Sequence, residues 1–72
     1  MTSTAAAVKK HVGATVRKAR LAADLTQVQL AKRARICQTH LSRIEAGDKA
    51  PSLGVLRRLA AVLDLSLDAM VA

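Results

Sequence analysis

Residues 27–46 read QVQLAKRARICQTHLSRIEA. Within this stretch Leu30, Ala31 and Ala34 fall on one side of a short helix over Gln27 to Ala34. Leu41 and Ile44 do the same for a second helix over Gln38 to Ala46. Ile36 is an apolar plug between them. Two short helices that cross steeply over a tight turn need apolar residues at Leu30, Ala34, Ile36, Leu41 and Ile44. They also need a small residue where they approach most closely, and Ala31 supplies it. All six positions are met, which is the pattern of a helix-turn-helix whose second helix is shaped for the major groove.

Upstream, Val8, Val12, Val16 and Ala19 form one stripe of a first helix that ends near Ala23, with Leu25 tucked in behind it. Thr26 is placed as the N-cap of the second helix, since its hydroxyl can accept an orphan N–H of the next turn. Residues 1–7 are small, polar or alanine-rich and are expected to fray, leaving 8–72 as a single domain. Downstream, Gly47 is the stop of the third helix. Pro51 keeps the residue before it out of helix, and Ser52 caps a fourth helix over Leu53 to Leu63, with Leu53, Leu56, Leu59, Ala60 and Leu63 inward. Ser66 caps a short fifth helix carrying Leu67, Met70 and Val71. No alternating strand pattern is present, so the reading is all-α.

The chain has 72 residues, a net charge of +7, 51% hydrophobic residues, one cysteine and no aromatic residue. So short a chain buries only about 60% of its unfolded surface and depends on well-packed helices or self-association. Without Phe, Tyr or Trp there is no platform for stacking bases, which excludes that mode of single-strand recognition. No apolar run is long enough to span a membrane and no signal peptide follows Met1, so a soluble, cytoplasmic protein is expected. Cys37 has no disulfide partner. Cys37 and His40 lie three apart with His11 as the only other imidazole, which makes no metal site, and a Cys–His nucleophile here has no orienting third group. No catalytic residue, metal, cofactor or small-molecule ligand is therefore expected, and the chain does not read as an enzyme.

The charge is lopsided. Residues 1–43 carry Lys9, Lys10, Arg17, Lys18, Arg20, Lys32, Arg33, Arg35 and Arg43 against Asp24 alone, a net +8. Residues 44–72 carry Lys49, Arg57 and Arg58 against Glu45, Asp48, Asp64 and Asp68, a net −1. One part of the chain is set to face an anion and the other is not, which points to duplex nucleic acid. Lys9 and Lys10 read either as an arm tracking the DNA backbone or as solvated charges at the start of the first helix.

Residues 12–71 resemble the Cro/lambda-repressor (XRE) family of DNA-binding domains. The resemblance rests on Val12-Gly13, Val16-Arg17, Arg20, Leu25-Thr26-Gln27, Leu30-Ala31, Leu41-Ser42-Arg43-Ile44-Glu45, Gly47, Pro51-Ser52-Leu53 and Leu63-Asp64-Leu65-Ser66-Leu67. It implies a compact five-helix lambda-repressor-like bundle, working as a homodimer on a pseudo-palindromic operator, most simply as a repressor. By position it implies base contacts from Gln38, Thr39 and Arg43, in keeping with the ability of Gln to read adenine and Arg to read guanine. It implies phosphate or supporting contacts from Gln27 and Lys49, with His40, Ser42 and Arg35 close to the DNA. It also implies a structural ion pair between Arg20 and Glu45. Leu65, Leu67, Met70 and Val71 form an apolar end in the near-neutral part of the chain and are the candidate dimer interface.

The chain departs from the family pattern in several places. Arg35 stands where Gly is usual, so a left-handed backbone there costs roughly 1 kcal/mol. Asp24 stands where Gly or Asn often ends the first helix. Ala19 is smaller than usual, Val28 is apolar where a charge is common, and Cys37 takes an N-cap place usually held by Ser or Thr. A thiol at a helix start invites oxidation, but a tolerated small residue is the simpler account. Alternative readings stay open at this point: an antitoxin that binds a toxin as well as an operator, a controller protein of a restriction–modification system, or a protein-interaction module that no longer reads DNA.

Overall fold

In the computed structural model the backbone is described for residues 5–71 and the side chains for residues 7–70. Five helices follow in order: α1 (Ala5–Ala22), α2 (Gln27–Ala34), α3 (Gln38–Ala46), α4 (Leu53–Leu63) and α5 (Leu67–Val71). There is no strand among the described residues. Met1–Thr4, the first part of the segment expected to fray, lie outside the described residues. Ala5 to Ala7 are helical, so α1 starts ahead of Val8.

Local chemistry sets the starts of the helices. Thr26 Oγ1 accepts the Gln29 N–H at 3.1 Å while Gln29 Oε1 accepts the Thr26 N–H at 2.9 Å, a reciprocal capping box. Ser52 Oγ accepts from Val55 N–H at 3.2 Å and Ser66 Oγ from Ala69 N–H at 3.1 Å. Cys37 has the extended backbone of an N-cap, but its side chain makes no capping hydrogen bond.

The helix ends share one device. Asp24, Arg35, Gly47 and Asp64 all have left-handed backbones, with φ of 60°, 60°, 81° and 55°. After each, the next N–H reaches back to an orphan carbonyl: Leu25 to Arg20, Ile36 to Ala31, Asp48 to Arg43, Leu65 to Ala60. In three cases that next residue is apolar, and Leu25, Ile36 and Leu65 return the chain to the core. After Gly47 it is Asp48, and the chain leaves for an exposed loop carrying Lys49.

The core contains Val12, Val16, Leu30, Ala31, Ala34, Leu41, Ile44, Val55, Leu59, Ala60 and Met70. α1 and α3 touch backbone to backbone. A Cβ added to Gly13 would lie 2.2 Å from the Ile44 carbonyl oxygen and 2.9 Å from that of Glu45, so only glycine lets the helices lie this close. Arg58 Nε donates to the Ala34 carbonyl at 2.8 Å, satisfying the last carbonyl of α2 and tying α4 to it.

Three expectations need correction. Val8 is 47% exposed, because α1, with 18 residues, runs about 27 Å while α3, with nine, runs about 14 Å. The stripe overshoots the helix it packs against. Leu53 is 57% exposed and Val55 is buried in its stead. The two are about 200° apart around α4, so both cannot face inward. Met70 is fully buried in the core and is not available to a dimer interface: α5 packs against both α1 and α4, and Met70 is its fully buried side chain among the described residues. Leu65 and Leu67 are half-buried against the same core, and the Val71 side chain lies outside the described residues.

Candidate nucleic-acid interface

The site is built on α3. Leu41 and Ile44 turn inward and are fully buried, which leaves Gln38, Thr39, Ser42 and Arg43 exposed on the outer face. None of these four side chains has a hydrogen bond or ion pair among the described residues. They offer amide, hydroxyl and guanidinium groups and no acid, a set suited to base edges and phosphate oxygens. The uncapped start of α3 leaves its first N–H groups without a side-chain acceptor.

The inner edge is in the opposite state. Arg20 Nε donates to Glu45 Oε2 at 2.8 Å and Arg20 Nη2 to Glu45 Oε1 at 3.0 Å, a forked ion pair. Arg20 Nη1 donates to the Leu25 carbonyl at 2.9 Å, which holds the α1–α2 link. Gln27 Nε2 adds a bond to Glu45 Oε1 at 3.2 Å. The side chains of Arg20 and Glu45 are only 10% and 3% exposed. The hydrogen bonds it donates to Glu45 hold the Arg20 guanidinium above its ordinary value, against the opposing effect of burial, and the carboxylate charge adds to this. One network thus connects α1, the first residue of α2 and the end of α3.

The other sequence-derived candidates lie around this frame. Arg35 is exposed at the left-handed turn between α2 and α3. Lys49 is exposed in the loop after Gly47. His40 stands apart from the outer face: it is half-buried, and its Nε2 is buried without a hydrogen-bond partner. It is not displayed with Gln38, Thr39, Ser42 and Arg43.

The structure also brings in a residue that the sequence reading gave no role. Arg17, on α1, joins Arg20, Gln27, Ser42, Glu45 and Ala46 around a recess of about 310 Å³. A signal was present in the spacing, since Gly13, Arg17 and Arg20 repeat at helical intervals along the α1 edge that meets α3. Among the described residues, no group of three or more His, Cys, Asp or Glu is arranged to hold a metal ion, and no helix is long and apolar enough to cross a membrane.

Comparison with known proteins matches residues 16–70 to HTH_3, the helix-turn-helix family. The HTH-type transcriptional regulator y4dL of Sinorhizobium fredii, described as uncharacterised, is 38% identical over 58 residues. That match covers 81% of this chain but 30% of the relative, so the chain spans under a third of its length. Among solved structures, the clp gene regulator ClgR of Corynebacterium glutamicum superposes with a TM-score of 0.84 at 27% identity, covering 88% of this chain and 67% of that one. The restriction–modification controller protein C.AhdI of Aeromonas hydrophila gives 0.82 at 26% identity, covering 86% and 94%. The transcription factor NHTF of Neisseria, described as hypothetical, gives 0.86 over the whole chain and 83% of its own; at 17% identity this likeness speaks for the fold alone.

Proposed function

We propose, from the premise that this chain belongs to the HTH_3 family of helix-turn-helix proteins, that it regulates transcription by sequence-specific binding to duplex DNA as a homodimer. α3 lies in the major groove. Gln38, Thr39 and Arg43 contact base edges, and Gln27, Ser42, Arg35 and Lys49 contact or support contacts to phosphates. Base contacts then carry the sequence preference, while the phosphate contacts supply register and affinity. The observation that carries this reading is the outer face of α3, whose exposed side chains have no partner among the described residues while the helix itself is tied to α1 and α2 by the Arg20–Glu45–Gln27 network.

The two subunits meet through the apolar end around Leu65 and Leu67, in the near-neutral part of the chain where they do not repel each other. Their α3 helices then enter successive major grooves about 34 Å apart. Covering a promoter is the simplest consequence, which makes the protein a repressor acting in the cytoplasm. A second reading, a restriction–modification controller, is supported by the near-complete overlap with C.AhdI, of which this chain covers 94%.

Selection from a random duplex library at two salt concentrations tests the proposal. The expected result is an enriched palindrome with half-sites about one helical turn apart. Its affinity falls roughly 10³-fold or more between 50 and 200 mM salt if six or more phosphates are engaged. No binding at low salt would overturn it.

A further inference from the structure

We infer that Arg17, on α1 and outside the helix-turn-helix, is a phosphate-binding residue that shares one DNA backbone phosphate with Gln27 and Ser42. The inference rests on the DNA-binding reading and extends it to a residue and a helix to which that reading gives no contact.

Charge is the first argument. Both oxygens of Glu45 are occupied: Oε2 accepts from Arg20 Nε, and Oε1 accepts from Arg20 Nη2 and Gln27 Nε2. The carboxylate is 97% buried by its side-chain exposure of 3%, and it neutralises Arg20. Arg17 is exposed, and among the described residues no acid lies within ion-pairing distance of it. Of the two guanidinium groups around the recess, one is compensated within the protein and the other is not.

Geometry is the second. Arg17 lines the same recess as Gln27 and Ser42. Ser42 belongs to the exposed outer side of α3, so the recess opens at the edge of the helix proposed to face DNA. Gln27 has one amide N–H on Glu45, which leaves the other to donate outward. The Ser42 hydroxyl has no partner among the described residues. A guanidinium, an amide N–H and a hydroxyl around one recess make a seat for a phosphodiester oxygen pair. Arg17 reaches it from α1, beside α3, so it meets the backbone and not the base edges. Its contribution is therefore independent of sequence and dependent on salt.

The test measures affinity of wild type, Arg17→Ala and Arg17→Lys for the selected operator and for a random duplex across a salt series. Arg17→Ala is expected to weaken both by the same factor and to make the slope of log K against log salt shallower by about 0.9 for each bound protomer. Between 50 and 200 mM that slope change is about 3.5-fold per protomer. Arg17→Lys is expected to keep the wild-type slope, because the charge is kept. A wild-type slope in Arg17→Ala, a loss confined to the operator, or a shallower slope in Arg17→Lys would each overturn the inference while leaving the DNA-binding reading standing. A wild type that binds no duplex would overturn both.

Discussion

α3 meets α1 along one edge and solvent along the other, and its polar groups are in opposite states on the two. Glu45 is nearly sealed from water, and each of its oxygens is held by a donor from another helix. Within two turns of it, Gln38, Thr39, Ser42 and Arg43 are exposed and hold no partner among the described residues. The inner edge determines where the helix lies and the outer edge is left free to bind. Sites that read another molecule need this division, because a side chain can only choose among partners if its backbone is already placed.

The comparison breaks most visibly at the inner edge. Glu45→Ala strands the Arg20 guanidinium in a nearly dry position and is expected to lower the free energy of unfolding by about 3–5 kcal/mol. A small domain has about 5–15 kcal/mol in all, so the variant is expected to be largely unfolded on warming. The joint change Arg20→Met with Glu45→Leu is expected to recover most of the loss in a urea melt, since no charge is then buried alone. The raised Arg20 value fixes the pH behaviour of the pair. Its stabilisation is complete below the guanidinium range of the unfolded chain and fades only as pH rises through the folded value, so Arg20 titration leaves the pair intact at mildly alkaline pH.

Gly13→Ala comes next. The new methyl would meet backbone oxygens of Ile44 and Glu45, which cannot swing aside as a side chain would. α1 and α3 must separate, at a cost of about 1–3 kcal/mol or more, and both the melting temperature and the DNA affinity are expected to fall. A normal melting temperature would show that the inner edge tolerates slack.

On the outer edge the two readouts part. Arg43→Ala is expected to cost about 1–3 kcal/mol in operator affinity and nothing in thermal stability. A drop in melting temperature would erase the contrast between the edges.

The smallest effects are at the turn before α3. Cys37→Ser adds a hydroxyl at an N-cap that lacks a side-chain bond and is expected to stabilise the fold by about 0.5 kcal/mol. Arg35→Gly relieves a left-handed backbone, is expected to stabilise by roughly 0.5–1 kcal/mol, and removes an exposed cation. Higher stability with weaker DNA binding would sharpen the comparison, because it would show a residue kept for its charge against its backbone preference.

Much of this architecture was legible in the sequence. Thr26, Ser52 and Ser66 mark helix starts by their own hydroxyls, and Leu30, Leu41 and Ile44 mark inward faces by spacing. The outer face of α3 was legible as the remainder once Leu41 and Ile44 were assigned inward. The Arg20–Glu45 pair was implied by the family resemblance, and Gly13, Arg17 and Arg20 share one edge of α1 by spacing. That Arg17, Gln27 and Ser42 line one recess was not legible, because it depends on how α1 and α2 lie against α3.

By itself the sequence determined what is decided within a turn or two: five helices, the hydroxyls that cap them, and the excess of cations before residue 44. Only the tertiary structure decided which apolar residues had something to pack against. Val8 overshoots its neighbour, Leu53 gives way to Val55, and Met70 enters the core instead of an interface. It also decided which cations stay free. Arg20 is neutralised by a buried carboxylate and Arg58 donates to an orphan carbonyl, whereas Arg17 and Arg43 are exposed and have no partner among the described residues. Periodicity repeats along a helix without knowing its ends, and charge counts do not say who is paired. Both are settled only when distant segments share one surface.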